Sequence, residues 1–418
     1  MQRRSFLRLT TGGVVVAAVA GTAGLSGCSS ALPAEALAAW QPPPRPAGGT
    51  ASTAATSAIN PLDPDTSVRR WLLSHALLAP HSHNLQSWLV SLEAPGQILL
   101  HLDLQRLLPE TDPFSRQMMM SQGTFIELLA MSAAELGLHA QVQLFPQGVF
   151  DAQRPDARPT ALITLMQADG SPAQQPDPLF AQIVRRHTHR APYEMRTPEA
   201  AALASITQAA QRAQPGLRSG FAVAGSGPAA ESALAQHRQI AMDAWKVELE
   251  TPRTLLESYR WIRLGPKEIA THRDGISIND PMVRALAAVG LFDRSKASAP
   301  DDPGIGAQIT GFNEAIAATP AFFWMVTQDN QRTTQVEAGR AYVRAQLAAT
   351  AAGLSMHPLQ QALQEYPEQQ AHYQRIHQLL DATAPGNTVQ MWARLGYAPP
   401  TTPSPRRGLE AHLMKPRT

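Results

Sequence analysis

From about residue 67 onward, apolar positions recur at two spacings, one helical and one alternating. Trp71, Leu72, His75 and Leu78 fall on one helical face of Arg69–Leu78, which stops at Pro80. Ser87–Leu92 and Ile98–Asp103 alternate as short strands around Ala94-Pro95-Gly96-Gln97, a hairpin signal. A long apolar helix is predicted over Gly123–Leu136, ended by Gly137, with strands at Val142, Leu144 and Ala161–Met166. In the second part, Asp177 before Pro178 reads as a cap and first helical position, starting a helix to Arg186. Thr197-Pro198-Glu199 starts another, ending near Pro215-Gly216. Ala321–Thr327 reads as a buried strand, Gly339–Ala352 as an Ala-rich helix ended by Gly353, and Thr388–Leu395 as a last strand. Gly123 and Gly137 overlay Gly339 and Gly353 at a constant offset of 216. That is a weak internal repeat, since glycine-ended helices are common.

The N-terminus reads differently. Arg3-Arg4-Ser5-Phe6-Leu7-Arg8 resembles a twin-arginine export signal ahead of a small-residue apolar stretch, Gly12–Gly24. That stretch is too short for a permanent span, which needs about 20 apolar residues. Leu25-Ser26-Gly27-Cys28 resembles a lipoprotein lipobox, and Cys28 is the only cysteine in the 418 residues. Residues 1–28 are therefore expected to be a leader, with lipidation at Cys28 and an exported, periplasmic or cell-envelope location. Residues 29–66, rich in Ala, Pro, Gly, Ser and Thr, read as a flexible tether. A Pro- and Gln-containing stretch near 171–178 divides the remainder into 67–175 and 176–418.

Charge changes this picture little. There are 35 basic and 33 acidic residues, a net charge of +2, and nothing in that balance argues for nucleic acid. The hydrophobic content, 44%, is ample for packed cores.

Three polar clusters are candidates for chemistry. Pro80-His81-Ser82-His83-Asn84-Leu85-Gln86 joins a helix to a strand; in an extended chain Ser82, Asn84 and Gln86 share one side. Their amides suit a ring with mixed edges, such as a flavin or a nucleobase, or else cap the preceding helix. Arg186, Thr188 and Arg190 share a side in an extended segment, and the two arginines share a helical face as well, a plausible phosphate clamp or a solvated basic patch. Pro403-Ser404-Pro405-Arg406-Arg407 stiffens a tail that carries two more arginines. The pairs His81/His83 and His187/His189 have a metal-site spacing, and a metal-dependent hydrolase is one alternative reading. No acidic residue stands near either pair and three arginines surround the second, so no metal ligand is assigned.

Together these segments resemble the nitroreductase superfamily of FMN flavoproteins, and its branch with two fused halves. Ala79–Trp88 is similar to that family's A-P-S-x-x-N-x-Q-P-W segment, and Arg186-x-Thr188-x-Arg190 to its R-x-S-x-R segment. Gly353-Leu354 with Pro358-Leu359-Gln360-Gln361, and Gly396-Tyr397 with Pro405-Arg406-Arg407, are similar to its C-terminal flavin-contacting stretches. The resemblance implies an α+β, three-layer α/β/α fold whose halves form an intrachain pseudo-dimer with one FMN. It implies that Arg186, Thr188, Arg190 and one or both of Arg406 and Arg407 hold phosphate and ribityl oxygens. Pro80, His81, Ser82, Asn84 and Gln86 would lie along the ring, with Gln360 and Gln361 at its N5 edge. The implied activity is two-electron reduction of a small-molecule acceptor, a nitroaromatic or quinone, and no acid–base catalytic residue is assigned. A flavin-holding protein with little turnover is the alternative. His81 stands where the family has a small residue and Ser87 where it has proline, so an imidazole is expected near the ring. Residues 251–304 match no family motif and are expected to form a lid or a surface insertion. Outside the cytoplasm the expected donor is a quinol or a periplasmic redox protein, with the lipid anchor as the membrane contact.

Overall fold

A computed structural model describes residues 31–46, 60–62, 66–170, 175–225 and 227–415. The expected leader and Cys28 lie outside the described residues. Among those described, no helix is long and apolar enough to cross a membrane.

After a short helix, α1 (Ala34–Leu37), the first part of the chain runs α2 (Ser67–Ala76), β1 (Trp88–Ser91), β2 (Gln97–Leu102), α3 (Arg116–Glu135), β3 (Leu138–Leu144) and β4 (Pro159–Gln167). Its four strands form an all-antiparallel sheet in the order β1-β2-β4-β3. The second part runs α4 (Ala200–Ala213), β5 (Arg218–Val223) and then a long excursion. That excursion is α5 (Pro228–Glu250), α6 (Pro252–Arg260), β6 (Ile262–Leu264), α7 (Gly265–His272), β7 (Ile276–Ile278), α8 (Pro281–Ala288) and α9 (Pro303–Ala317). The chain returns through β8 (Ala321–Thr327), α10 (Arg332–Ala351), β9 (Ser355–Pro358), α11 (Gln370–Leu379) and β10 (Thr388–Gly396). Its sheet is again antiparallel, in the order β5-β8-β10-β9. The two sheets thus share one strand order and one connectivity. They differ at the first link, a tight turn in one and the α5–α9 excursion in the other, and at the third, where only the second part carries a helix, α11.

The glycine offset seen in the sequence has a spatial counterpart. A Cβ on Gly123 would sit 1.9 Å from the carbonyl oxygen of Val336, and one on Gly339 would sit 1.9 Å from that of Met120. Each glycine therefore lets the partner helix's backbone approach where no side chain fits, and α3 crosses α10 there. Gly137 and Gly353 end these helices at φ +73° and +72°.

Side chains alternate across the second sheet. Phe323 and Met325 of β8 pack toward α4 and α10, while Phe322 and Val326 pack toward α5 and α11. All nine residues of β10 are buried, so a charge there has no water to face. The excursion builds its own core from Leu255, Tyr259, Ile262, Val283, Phe292 and Ile305.

Two expectations are corrected. The helix expected from Pro178 to Arg186 is one 3-10 turn, Pro178–Gln182, with Asp177 accepting from Leu179 N at 2.9 Å. Beyond it Thr188 pairs with Met356 beside β9, so strand pairing replaces helix continuation. The expected tether is not loose where it is described. Trp71 donates to the Pro43 carbonyl (3.1 Å), Asn279 to that of Ala31 (3.3 Å), and Ala36 is fully buried.

Candidate functional site

The loop after α2 is not extended, so the simple alternation of Ser82, Asn84 and Gln86 does not hold. Residues Ser82–Asn84 form a 3-10 turn, and His83, Asn84 and Gln86 all have positive φ, at 49°, 54° and 54°. Three non-glycine residues in that region within four positions is a strained arrangement that needs outside support. The excursion supplies it. Asn84 and Gly275 exchange hydrogen bonds, Asn84 Nδ2 to the Gly275 carbonyl (3.2 Å) and Gly275 N to the Asn84 carbonyl (3.1 Å). Gln86 donates to the Arg273 carbonyl (2.9 Å), and His83 Nε2 meets Ser258 Oγ (3.1 Å).

The same amides hold the C-terminal tail. Asn84 Nδ2 donates to the Pro405 carbonyl (3.0 Å), and Asn84 Oδ1 accepts from Arg406. Gln86 Oε1 accepts from the backbone N–H of Arg407 (2.8 Å). Asn84 and Gln86 thus fix where the tail arginines stand.

His81 and Ser87, the two departures from the family pattern, bind each other. His81 Nε2 accepts from the Ser87 backbone N–H (3.1 Å) and lies 2.6 Å from Ser87 Oγ, while Nδ1 faces the Ser82 carbonyl at 2.8 Å. A carbonyl opposite Nδ1 assigns the proton to that nitrogen. A proline at position 87 has no N–H to give, so an imidazole at 81 and a non-proline at 87 belong together. The ring also meets Trp88 edge-on at 5.1 Å, turned into the scaffold. Burial, reinforced by Arg406 and Arg407, pushes the His81 pKa down to about 3.

Arg186, Arg190 and Arg406 come together from segments distant in sequence. Arg186 donates to the Leu78 carbonyl (2.9 Å) and Arg406 to the next one, Ala79 (3.1 Å). Two guanidinium groups therefore dock side by side on carbonyls just past the end of α2, where backbone partial charge is negative. Burial, with Arg186 and Arg190 nearby, holds the Arg406 pKa well below its usual value; burial pushes that of Arg186 down to about 10. At about 10, Arg186 stays charged near neutrality. Among the described residues no carboxylate is in ion-pair contact with Arg186, Arg190 or Arg406. Several buried polar atoms nearby lack any partner: Arg186 Nε, Arg406 Nε, Tyr342 Oη and Gln346 Nε2. Gln346 Oε1 accepts from Arg186 (3.3 Å), and the Tyr342 hydroxyl lies within electrostatic reach of Arg186 and Arg190.

The other assigned residues stand around or apart from this pocket. The Pro80 carbonyl accepts from Thr124 (2.8 Å), and Ser82 Oγ donates to Gln117 (3.1 Å). Thr188 is held by its backbone pairing. Arg407 points elsewhere, donating to the Gln86 carbonyl (2.5 Å) with Arg106, Asp274 and Asp103 as its charged neighbours. Gln360 accepts from Arg116 (3.2 Å), while Gln361 hydrogen-bonds Glu248, whose pKa burial pushes up to about 7. The described residues hold no group of three or more His, Cys, Asp or Glu side chains placed to share a metal ion.

Three contributors were not singled out from the sequence. Arg394, buried in β10, donates to the carbonyls of His189, Arg190 and Ala191 and so sets the backbone that carries Arg190. An arginine inside the apolar run Trp392–Leu395 was a readable signal for it. Tyr342 and Gln346 carry none, being ordinary members of a helix.

No family profile matches the chain. Two Mycobacterium tuberculosis proteins, from different strains and both provisionally named NAD(P)H nitroreductases, are 26% identical to it over 354 residues. The alignments cover 83% of this chain and 91% of each relative. Among solved structures, a provisionally named nitroreductase of Anabaena variabilis covers 85% of this chain and 94% of its own, at 12% identity and a TM-score of 0.42. The FMN-dependent nitroreductase of Mycobacterium smegmatis, solved with NADPH, covers 56% of this chain and 96% of its own, at 15% identity and a TM-score of 0.36. Over five-sixths of its length, the chain is a sequence relative of proteins named as nitroreductases.

Proposed function

We propose that this protein is an FMN-binding oxidoreductase of nitroreductase type, delivering two electrons to a nitroaromatic or quinone-like acceptor. The observation that carries the reading is the cluster of Arg186, Arg190 and Arg406, cationic and, among the described residues, without carboxylate partners. Burying an ion costs several kcal/mol unless it is paired, and the Leu78 and Ala79 carbonyls offset only part of that. A phosphate monoester, with three acceptor oxygens and nearly two negative charges, fits the orphaned N–H and O–H groups that remain. The names of the relatives support the same chemistry.

FMN, when bound, supplies the electron transfer itself. The chain's residues do the holding. Arg186 and Arg406 hold the phosphate, with Arg190 beside them. Asn84 and Gln86 anchor the tail that presents Arg406, and His81, kept neutral and tied to Ser87, holds the loop. Gln360 and Gln361 are assigned to the ring edge on the resemblance.

The matched sheet orders and the reciprocal glycine crossing support two fused nitroreductase-like halves, a three-layer pseudo-dimer with one FMN per chain. Arg3-Arg4 and Cys28 support export by the twin-arginine route and a lipid anchor in the cell envelope. In that compartment NAD(P)H, the donor in the relatives' names, is scarce, and a quinol or periplasmic redox protein serves instead.

Extraction and quantitation of flavin test the reading: one FMN per chain is expected, and none or two would overturn it. A second reading, flavin holding with little turnover, draws on the excursion's hydrogen bonds onto Asn84 and Gln86. Steady-state reduction of a nitro compound or a quinone, with NADPH and with a reduced quinone as donors, separates the two.

A further inference from the structure

The N-terminal arm reaches the arginine pocket. Trp40 lies with its ring centroid 5.7 Å from the guanidinium carbon of Arg186 and 5.5 Å from that of Arg406. Its indole N–H donates to the Ser404 carbonyl (2.9 Å), two residues before Arg406. The arm is held on both sides of this contact. Trp71 donates to the Pro43 carbonyl at 3.1 Å, Arg45 pairs with Glu135 at 3.3 Å, and Asn279 reaches the Ala31 carbonyl.

We infer that Trp40 is a binding residue of this pocket, an indole wall over the two arginines that grip the cofactor phosphate, and this rests on the proposed FMN reading. Three features of the geometry lead there. Arg186 and Arg406 are like charges docked on adjacent carbonyls, and among the described residues no carboxylate neutralises them. An aromatic face is the neutral group that attracts a guanidinium without consuming its N–H donors. The donors therefore stay available: Nε of Arg186 and Nε of Arg406 are both buried without a partner. An indole lying over guanidinium groups also keeps water off them, and a drier surrounding strengthens the attraction of each for an anion. A carboxylate in the same place would have cancelled the charge and competed with phosphate. The Ser404 hydrogen bond adds position, tying the indole to the tail that carries Arg406. An arm that sequence composition marks as a tether thus completes the site.

The test uses the full mature chain, loaded with FMN, as wild type, Trp40→Ala and Trp40→Phe. Flavin release is followed by recovery of free-flavin fluorescence after dilution. Trp40→Ala is expected to release FMN about 10-fold faster, the scale of two cation–π contacts, and Trp40→Phe, which keeps an aromatic face, within about threefold of wild type. Release from Trp40→Ala at the wild-type rate overturns the inference. So does Trp40→Phe releasing as fast as Trp40→Ala, because the aromatic face then contributes nothing. If wild-type protein holds no flavin, the FMN reading fails by itself, and Trp40 is judged with inorganic phosphate. Phosphate should then raise the thermal midpoint of the wild type and of Trp40→Phe but not of Trp40→Ala; an equal rise in all three overturns the wall.

Discussion

Helix α10 presents buried or half-buried arginines and their partners on two faces, and the fold treats the two faces in opposite ways. On one, Arg340 and Arg344, four residues apart, reach across to Glu127 of α3 at 2.8 and 2.5 Å, and Arg344 also meets Asp177 at 2.7 Å. On the other, Tyr342 and Gln346, also four apart, approach Arg186, where no acid among the described residues answers the charge. The first arrangement is closed: each cation has its anion, and the Arg340 and Arg344 partners hold the Glu127 carboxyl below its usual range despite burial. The second is open, with donors left over. Paired charge ties α3 to α10 and positions the Asp177 turn, whereas the unpaired charge of the second face is what the proposed phosphate site rests on. The two can be separated by experiment.

The largest effect is expected at the closed face. Glu127→Gln leaves two arginines facing a neutral amide in the helix seam, and about 3–5 kcal/mol of stability should be lost. Urea unfolding checks this, and the surviving folded fraction should hold FMN as well as wild type does. A matching loss of flavin affinity in that fraction would erase the distinction between the faces. Next comes the open face. Arg186→Ala with Arg190→Ala should weaken FMN affinity by at least about 100-fold, since each charge-assisted phosphate contact contributes about 1.5–3 kcal/mol. Unchanged flavin content would refute the clamp.

A third effect concerns the loop that supports the open face. The folded His81 pKa, about 3, lies below the unfolded histidine value, so the folded state resists a proton that the unfolded chain takes up. Its contribution to stability is whole above about pH 6.5 and is lost as pH falls toward about 3. Replacing His81 with Asn removes that group, and urea midpoints measured across the interval should fall less steeply with acid than in wild type. A variant with the wild-type slope would show that His81 is not the buried neutral group described.

Much of the architecture was legible because it follows from local chemistry. Ala321–Thr327 and Thr388–Leu395 read as strands from their apolar runs, and the observed strands are Ala321–Thr327 and Thr388–Gly396. Gly137 and Gly353 marked helix ends because a left-handed residue there favours glycine, and both take that conformation. The Pro178 helix was misjudged because capping signals specify a start and say nothing of how far a helix continues. Pairing of Thr188 with Met356 decides that, and those residues stand 168 apart. The arm around Trp40 was misjudged for a related reason. A Pro- and Ala-rich stretch has no periodic face to read, so its docking depends on what it meets.

The sequence by itself marked strands β1, β2, β4, β8 and β10, the helix ends at Gly137 and Gly353, and the residue types that could bind a phosphate. Only the tertiary structure decided which arginines meet. Arg406 joins Arg186 while its neighbour Arg407 turns toward Asp274 and Asp103. It also decided that His81 faces Ser87, and that Trp40 covers the pair. The physical reason is one of range. Strand alternation and helix caps are set by neighbours within a few positions, whereas whether a buried charge is neutralised depends on groups brought together from anywhere along the chain.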